Sequence, residues 1–152
     1  MRKSLLHVVA CCIALLPLAR ADAAPYGGLG PGKTFTLTVT ERVSTRKLND
    51  GKTKNAAVPE GIPDYKIGQK VEFTIGKNGK LTAKGLSLPF KSANSSTNRY
   101  DKPASNETNT AGVTKNAKGK PTAVALKFTS NRLRVQPTGI DLIKRTVSYS
   151  LK

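Results

Sequence analysis

One stretch of the chain spells out a chemical device letter by letter: Gly27-Gly28-Leu29-Gly30-Pro31-Gly32-Lys33-Thr34. It satisfies Gly-x4-Gly-Lys-Thr. In that loop, backbone amides and a helix N-terminus cradle phosphate, the lysine reaches the outer phosphates, and the hydroxyl meets magnesium. The device needs a helix directly after it. Thr34 is followed instead by Phe-Thr-Leu-Thr-Val-Thr, a strand pattern, and no apolar strand ending in aspartate follows to hold the metal. The octet therefore reads as a Gly/Pro-rich turn. Ser44-Thr45-Arg46-Lys47 matches the Ser-x-x-Lys of penicillin-reactive serine enzymes. That chemistry puts the serine at a helix start, with Ser-Asp-Asn and Lys-Thr-Gly elements facing it. Neither element is present, and Ser44 ends a strand pattern.

Most other site chemistries lack their residues. The only histidine, His7, and the two cysteines, Cys11 and Cys12, all fall within the first 23 residues. Past that point no Ser–His or Cys–His pair and no common zinc site can form. The remaining acids are Glu41, Asp50, Glu60, Asp64, Glu72, Asp101, Glu107 and Asp141, scattered along the chain. Two of them meeting in a cleft would make a carboxylate-based hydrolase, although no spacing points to it. Asn94-Ser-Ser96 and Asn106-Glu-Thr108 are glycosylation sequons, which matter only in a eukaryotic host. No catalytic residue, cofactor or metal ligand is expected.

Charge is the feature with positive content. The chain carries +17. Residues 1–23 hold Arg2, Lys3 and Arg20 against Asp22, so their removal leaves +15. Such a surface attracts polyanions without needing sequence specificity. The candidate contacts are Lys91, Arg99, Lys102, Lys115, Lys118 and Lys120 in loops, with Lys127, Arg132, Arg134 and Arg145 on outward strand positions, as is Arg42. Phe35, Phe73, Phe90, Phe128 and Tyr149 fall on the buried parity, which argues against base stacking and specific nucleic-acid binding.

The elements that would carry these residues follow from periodicity. Residues 1–23 have the layout of a secretory signal: Arg2 and Lys3, an apolar run from Leu5 to Ala19, then Ala21-Asp22-Ala23. Cleavage is expected after Ala23, with Ala21 second; the run is too short to span a bilayer. Residues 24–33 form a Gly/Pro-rich lead-in to a single domain at 34–152. Period-two alternation marks strands at 34–43, 70–76, 80–90, 122–135 and 145–151. Phe35, Leu37, Val39 and Val43 share a face in the first. A three-residue loop, Lys77-Asn78-Gly79, keeps Ile75 opposite Leu81 and Phe73 opposite Ala83. Parity changes at Gly85 and near Ser130-Asn131 suggest bends. Residues 44–68 read as a long polar connection and 91–120 as a mobile polar loop.

These elements predict an all-β fold: a small antiparallel, barrel-like sheet of five or six strands with two long polar loops, or alternatively a β-sandwich. The expected function is that of an exported, periplasmic or secreted, non-catalytic basic β domain. It would have a binding or structural role at the cell envelope or outside the cell, without a transmembrane segment after processing. A polyanion-binding protein, taking acidic polysaccharide, anionic lipid or nucleic acid, is the first alternative. The hydrolase is the second.

Overall fold

The computed structural model describes residues 25–152; the expected signal segment, its cleavage site, His7 and both cysteines lie outside them. The fold is all-β and antiparallel. Its strands are β1 (Thr34–Lys47), β2 (Thr53–Asn55), β3 (Lys70–Ile75), β4 (Leu81–Ala83), β5 (Leu86–Leu88), β6 (Phe90–Ala93), β7 (Thr97–Pro103), β8 (Glu107–Lys115), β9 (Pro121–Gln136) and β10 (Gly139–Leu151). They run in the order β5-β4-β3-β1-β10-β9-β8-β7-β6, with β2 paired to β1 off that path. β1 is the corner strand: Thr34–Thr38 pair with β3, and Val39–Lys47 pair with β10. The two ends of the order, β5 and β6, are consecutive in the chain around Pro89, and β5 packs on β7 and β8. The sheet is thus a nearly closed barrel, and its edges are short strands meeting at a proline, which blunts them against pairing with other chains.

The strand count exceeds the expected five or six for specific reasons. Residues 91–120 are no mobile loop; they supply most of β6, then β7, β8 and the turn into β9. Their few large or apolar residues alternate, so Asn98, Tyr100, Ala111 and Val113 are buried. The opposite face is Thr97, Arg99, Asp101 and Pro103 on β7 and Thr108, Thr110, Gly112 and Thr114 on β8. Laddered hydrogen bonds and the apolar neighbour β9 offset the ordering entropy that a count of apolar residues suggests is prohibitive. The 80–90 segment is two strands, not one bent strand. Ala83 pairs with Leu86, so Lys84-Gly85 is a two-residue hairpin turn with Gly85 at φ 76°. No bend occurs at Ser130-Asn131: β9 and β10 keep one register from Leu151↔Val124 to Gly139↔Gln136. The long connection after β1 is interrupted by β2, and Tyr65, Val58 and Ile62 from it pack on the core. The β3–β4 loop is the expected three-residue one, with Ile75 opposite Leu81 and Gly79 at φ 73°.

The lead-in is a plug rather than a tether. Leu29 is fully buried, and Gly32 N–H donates to Ile75 O at 2.7 Å. Tyr26 stands at φ 57°, strained for a side chain with a Cβ. Its ring packs edge-on against Phe90 at 5.4 Å and covers Gly79, where an added methyl would overlap the ring. No helix among the described residues is long and apolar enough to cross a membrane.

Candidate functional site

Residues directly opposite on antiparallel strands point to the same side, so the register gives the barrel interior rung by rung. The innermost rung, Asn98–Val113–Val124–Leu151–Val39, is all buried. The next is Tyr100–Ala111–Leu126–Tyr149–Arg42 and the third Lys102–Asn109–Phe128–Val147–Ser44. The fourth, Glu107–Ser130–Arg145–Arg46–Lys54, has no apolar member. Beyond it, Arg132 and Arg134 continue the inner parity of β9, opposite Ile143 and Asp141. The interior is therefore apolar at the plugged end and basic at the other.

A β-bulge creates half of this arrangement. β1 pairs Val39 with Leu151 but Glu41 with Ser150, so Thr40 is an extra residue; its hydroxyl donates to Ser150 O at 3.0 Å. The inserted residue inverts the parity of everything after it. Val43, expected in the core, is turned outward and is 44% exposed. Arg42, expected outside, turns inward with Ser44 and Arg46.

The basic rungs are under-satisfied. Among the described residues, the buried side-chain atoms without a hydrogen-bond partner are the Nε of Arg42, Arg46 and Arg145, Ser44 Oγ, Asn109 Oδ1 and Asn98 Oδ1. All but the last belong to rungs two to four. Arg46 lies directly opposite Arg145, with Lys54 opposite Arg46 on its other side. Like charges so placed destabilise a sheet, and two unit charges at 4 Å repel by about 1 kcal/mol even in bulk water. Arg42 donates to Asp64 at 2.6 Å, and Asp64 also pairs with Lys66. Lys66 first and Arg42 second hold the Asp64 carboxyl below its usual range, against partial desolvation. No described carboxylate lies within ion-pair distance of Arg46 or Arg145. A recess of about 510 Å³ opens on the β5 side of these rungs, lined by Lys102, Glu107, Asn109, Phe128, Leu86 and Pro63 but by none of the arginines. What this arrangement can do is take up negative charge.

The wall below it is built on tyrosines. Tyr149 donates to Pro63 O at 2.5 Å and Tyr65 to Lys84 O at 2.7 Å, their rings 5.3 Å apart. Burial pushes the Tyr65 hydroxyl up to about 12, with Tyr149 adding to the shift, and burial also raises Tyr149 and Tyr100.

The expected basic contacts do not form one patch. Lys102, Arg132, Arg134 and Arg145 gather at the basic end; the last three lie on the inner parity, not the outward one, Arg132 and Arg134 because β9 runs unbent past Asn131 and Arg145 because it shares the parity of Val147, Tyr149 and Leu151. Arg42, Arg46 and Lys54 join them. Sequence reasoning placed Arg42 outward because the bulge is silent, and left out Arg46 and Lys54 because residues 44–68 read as connection. The signal available was the continued alternation Arg42-Val-Ser44-Thr-Arg46. Lys91, Arg99 and Lys127 line a separate outer groove of about 540 Å³ with Gly112 and Ala125, where Lys91 pairs with Asp101. Lys118 and Lys120 sit in the β8–β9 turn at the plugged end. Lys115 is no surface contact at all. It is buried, and its ammonium donates to Gly27 O at 2.5 Å and Asn94 O at 3.2 Å.

That contact also decides the phosphate-loop match. The Gly27 carbonyl points at a lysine, β1 follows Thr34 directly, and Lys33 Nζ reaches only Gly28 O at 3.5 Å. The octet is built to plug the barrel, not to cradle phosphate. The acids do not converge: Asp64 serves Arg42 and Lys66, Asp101 serves Lys91, and Asp141 meets Gln136 and Asn49. No protein family, curated protein or solved structure matches the chain.

Proposed function

We propose that this chain is an exported, non-catalytic binding domain of the cell envelope or its surroundings, and that the basic end of its barrel takes multiply charged anions. The observation that carries the reading is the direct register of Lys54, Arg46 and Arg145 on three adjacent strands with no described carboxylate, Glu107 of the same rung included, within ion-pair distance of Arg46 or Arg145. A fold that sets three cations side by side, with guanidinium Nε atoms buried and unpartnered, gains when an anion enters between them. Arginine suits this role, because its planar fork meets sulfate, phosphate or carboxylate oxygens in pairs. Acidic polysaccharides and polyphosphates carry such groups in series. Binding of this origin releases counterions and weakens log-linearly with salt.

The test is elution from a sulfated polysaccharide matrix across a salt gradient. Arg46→Met with Arg145→Met should lower the salt slope by roughly two units. Lys118→Met with Lys120→Met removes the same charge at the plugged end and should change elution much less. Equal loss in the two variants would make the binding a property of net charge alone. Elution of the unaltered protein below physiological salt would reduce the charge to a solubility device.

A further inference from the structure

β9 and β10 run on past their neighbours. β8 stops with Glu107 opposite Ser130, and β1 stops with Lys47 opposite Lys144. Beyond these points, residues 132–136 and 139–143 pair only with each other. Asn49 steadies one edge, donating to Ile140 O at 3.2 Å and accepting from Leu142 N–H at 2.8 Å. From Asn131 to Gln136 the ribbon projects about 17 Å at the usual rise of a strand.

Its outer face is aliphatic. Leu133 is opposite Leu142 and Val135 opposite Ile140, and the four are 71, 48, 80 and 62% exposed. The other large exposed apolar residues, Val43 and Ile67, stand singly. A two-stranded ribbon has no second layer to cover such a face and is marginal by itself in water. Four aliphatics in register on a projecting ribbon mark a contact surface.

We infer that this ribbon docks by its aliphatic face into the surface of an anionic bilayer. The choice of occupant rests on the charges around the face. Lys47 and Lys144 border it on the same side, and Arg132 and Arg134 occupy the reverse side. The one acid on the ribbon, Asp141, is engaged by Gln136 and Asn49. A second copy of a chain carrying +17 would bring these cations against their own kind. Anionic head-groups reverse the sign of that interaction. An apolar face bordered by Lys and Arg is the composition that settles at a charged lipid interface, with the long cationic stems lying along apolar surface and their heads in water. The aliphatic face is not that of the anion site proposed above; Arg132 and Arg134 flank both, and the threonine and the arginine-to-methionine substitutions, which leave those two in place, separate the two proposals.

The experiment is co-sedimentation of the protein with phosphatidylcholine vesicles, with and without phosphatidylglycerol. Binding is expected only with phosphatidylglycerol. Leu133→Thr with Val135→Thr should weaken it roughly tenfold per residue, while retention on the sulfated matrix stays as it was. To separate lost docking from a ribbon that loses its shape in that variant, Val135→Trp provides a second readout in a chain that has no tryptophan of its own. Its fluorescence should shift to the blue and be quenched by brominated acyl chains. Equal binding to both vesicle types, unchanged binding after the threonine substitutions, or a tryptophan that stays in water would each overturn the inference. So would a dimer in sedimentation equilibrium that dissociates on the same substitutions.

Discussion

The two ends of this barrel interior share β1, β8, β9 and β10 and differ in almost everything else. At the plugged end, β1, β3, β8, β9 and β10 contribute Leu37, Phe73, Val113, Val124 and Leu151, all buried, with Leu29 closing the space between them. Among the described residues, Asn98 Oδ1 is the one buried side-chain polar atom there without a hydrogen-bond partner. Three rungs on, β1, β9 and β10 contribute Arg46, Ser130 and Arg145, and the two arginines carry buried Nε atoms that have no partner. The first end explains why the domain folds without a disulfide among its described residues. The second end has no comparable apolar packing: its fourth rung carries no apolar side chain. On the proposed reading, stability and anion recognition are separated along the barrel axis, so substitutions at the two ends should have opposite consequences.

The largest expected effect is at the plugged end. Phe73 is fully buried and stacks on Phe35 at 5.3 Å. Phe73→Ala should cost about 3–5 kcal/mol in urea unfolding, and a loss below about 1 kcal/mol would show that the core lies elsewhere.

Next comes the alkaline limit. A buried tyrosine keeps its proton in the folded state, while the unfolded chain loses it near the ordinary value of 10.0. Stability is therefore intact below that pH and falls as pH climbs through 10 toward about 12, by about 2 kcal/mol for Tyr65 alone. Tyr65→Phe should flatten that part of the pH–stability curve, measured by urea midpoints between neutral and strongly alkaline buffer.

Lys115 separates a structural lysine from a binding one. Lys115→Met strands the carbonyls of Gly27 and Asn94 and should cost about 1–2 kcal/mol, with little change in salt-dependent retention. A retention loss matching that of the arginine variant would break the division between the ends.

The smallest effect should have the opposite sign. Replacing Arg46 and Arg145 by methionine removes a like-charge pair and fills the same space. It should leave stability unchanged or raise it by up to about 1 kcal/mol in low salt, read from the same urea curves.

The sequence made the fold class legible wherever apolar residues alternate. Phe35 to Val39, Val71 to Ile75, Val124 to Phe128 and Val147 to Leu151 are all strands with the expected inward face. It hid β7 and β8, because Thr97 to Lys115 contribute only a few apolar side chains to the core, and a strand that borrows its apolar partner from a neighbour has no signature of its own. It hid the basic site for a sharper reason. One extra residue at Thr40 reverses the facing of Arg42, Val43 and Arg46, and nothing in Val39-Thr40-Glu41 distinguishes a bulge from a regular strand. The bends expected at Gly85 and Asn131 failed in different ways: Gly85 makes a full hairpin turn, and β9 passes Asn131 straight, leaving its outer aliphatics uncovered instead of turning them inward.

The central claim, that the arginine end is a binding site left unfinished until an anion arrives, is tested most directly by linkage. A ligand that binds only the folded state raises its stability by an amount set by affinity and concentration. Urea unfolding should be measured with and without tripolyphosphate, at matched ionic strength, for the unaltered protein and for Arg46→Met with Arg145→Met. The account predicts a rise in the urea midpoint of the unaltered protein that is lost in the variant. An equal rise in both, or none in either, would contradict it.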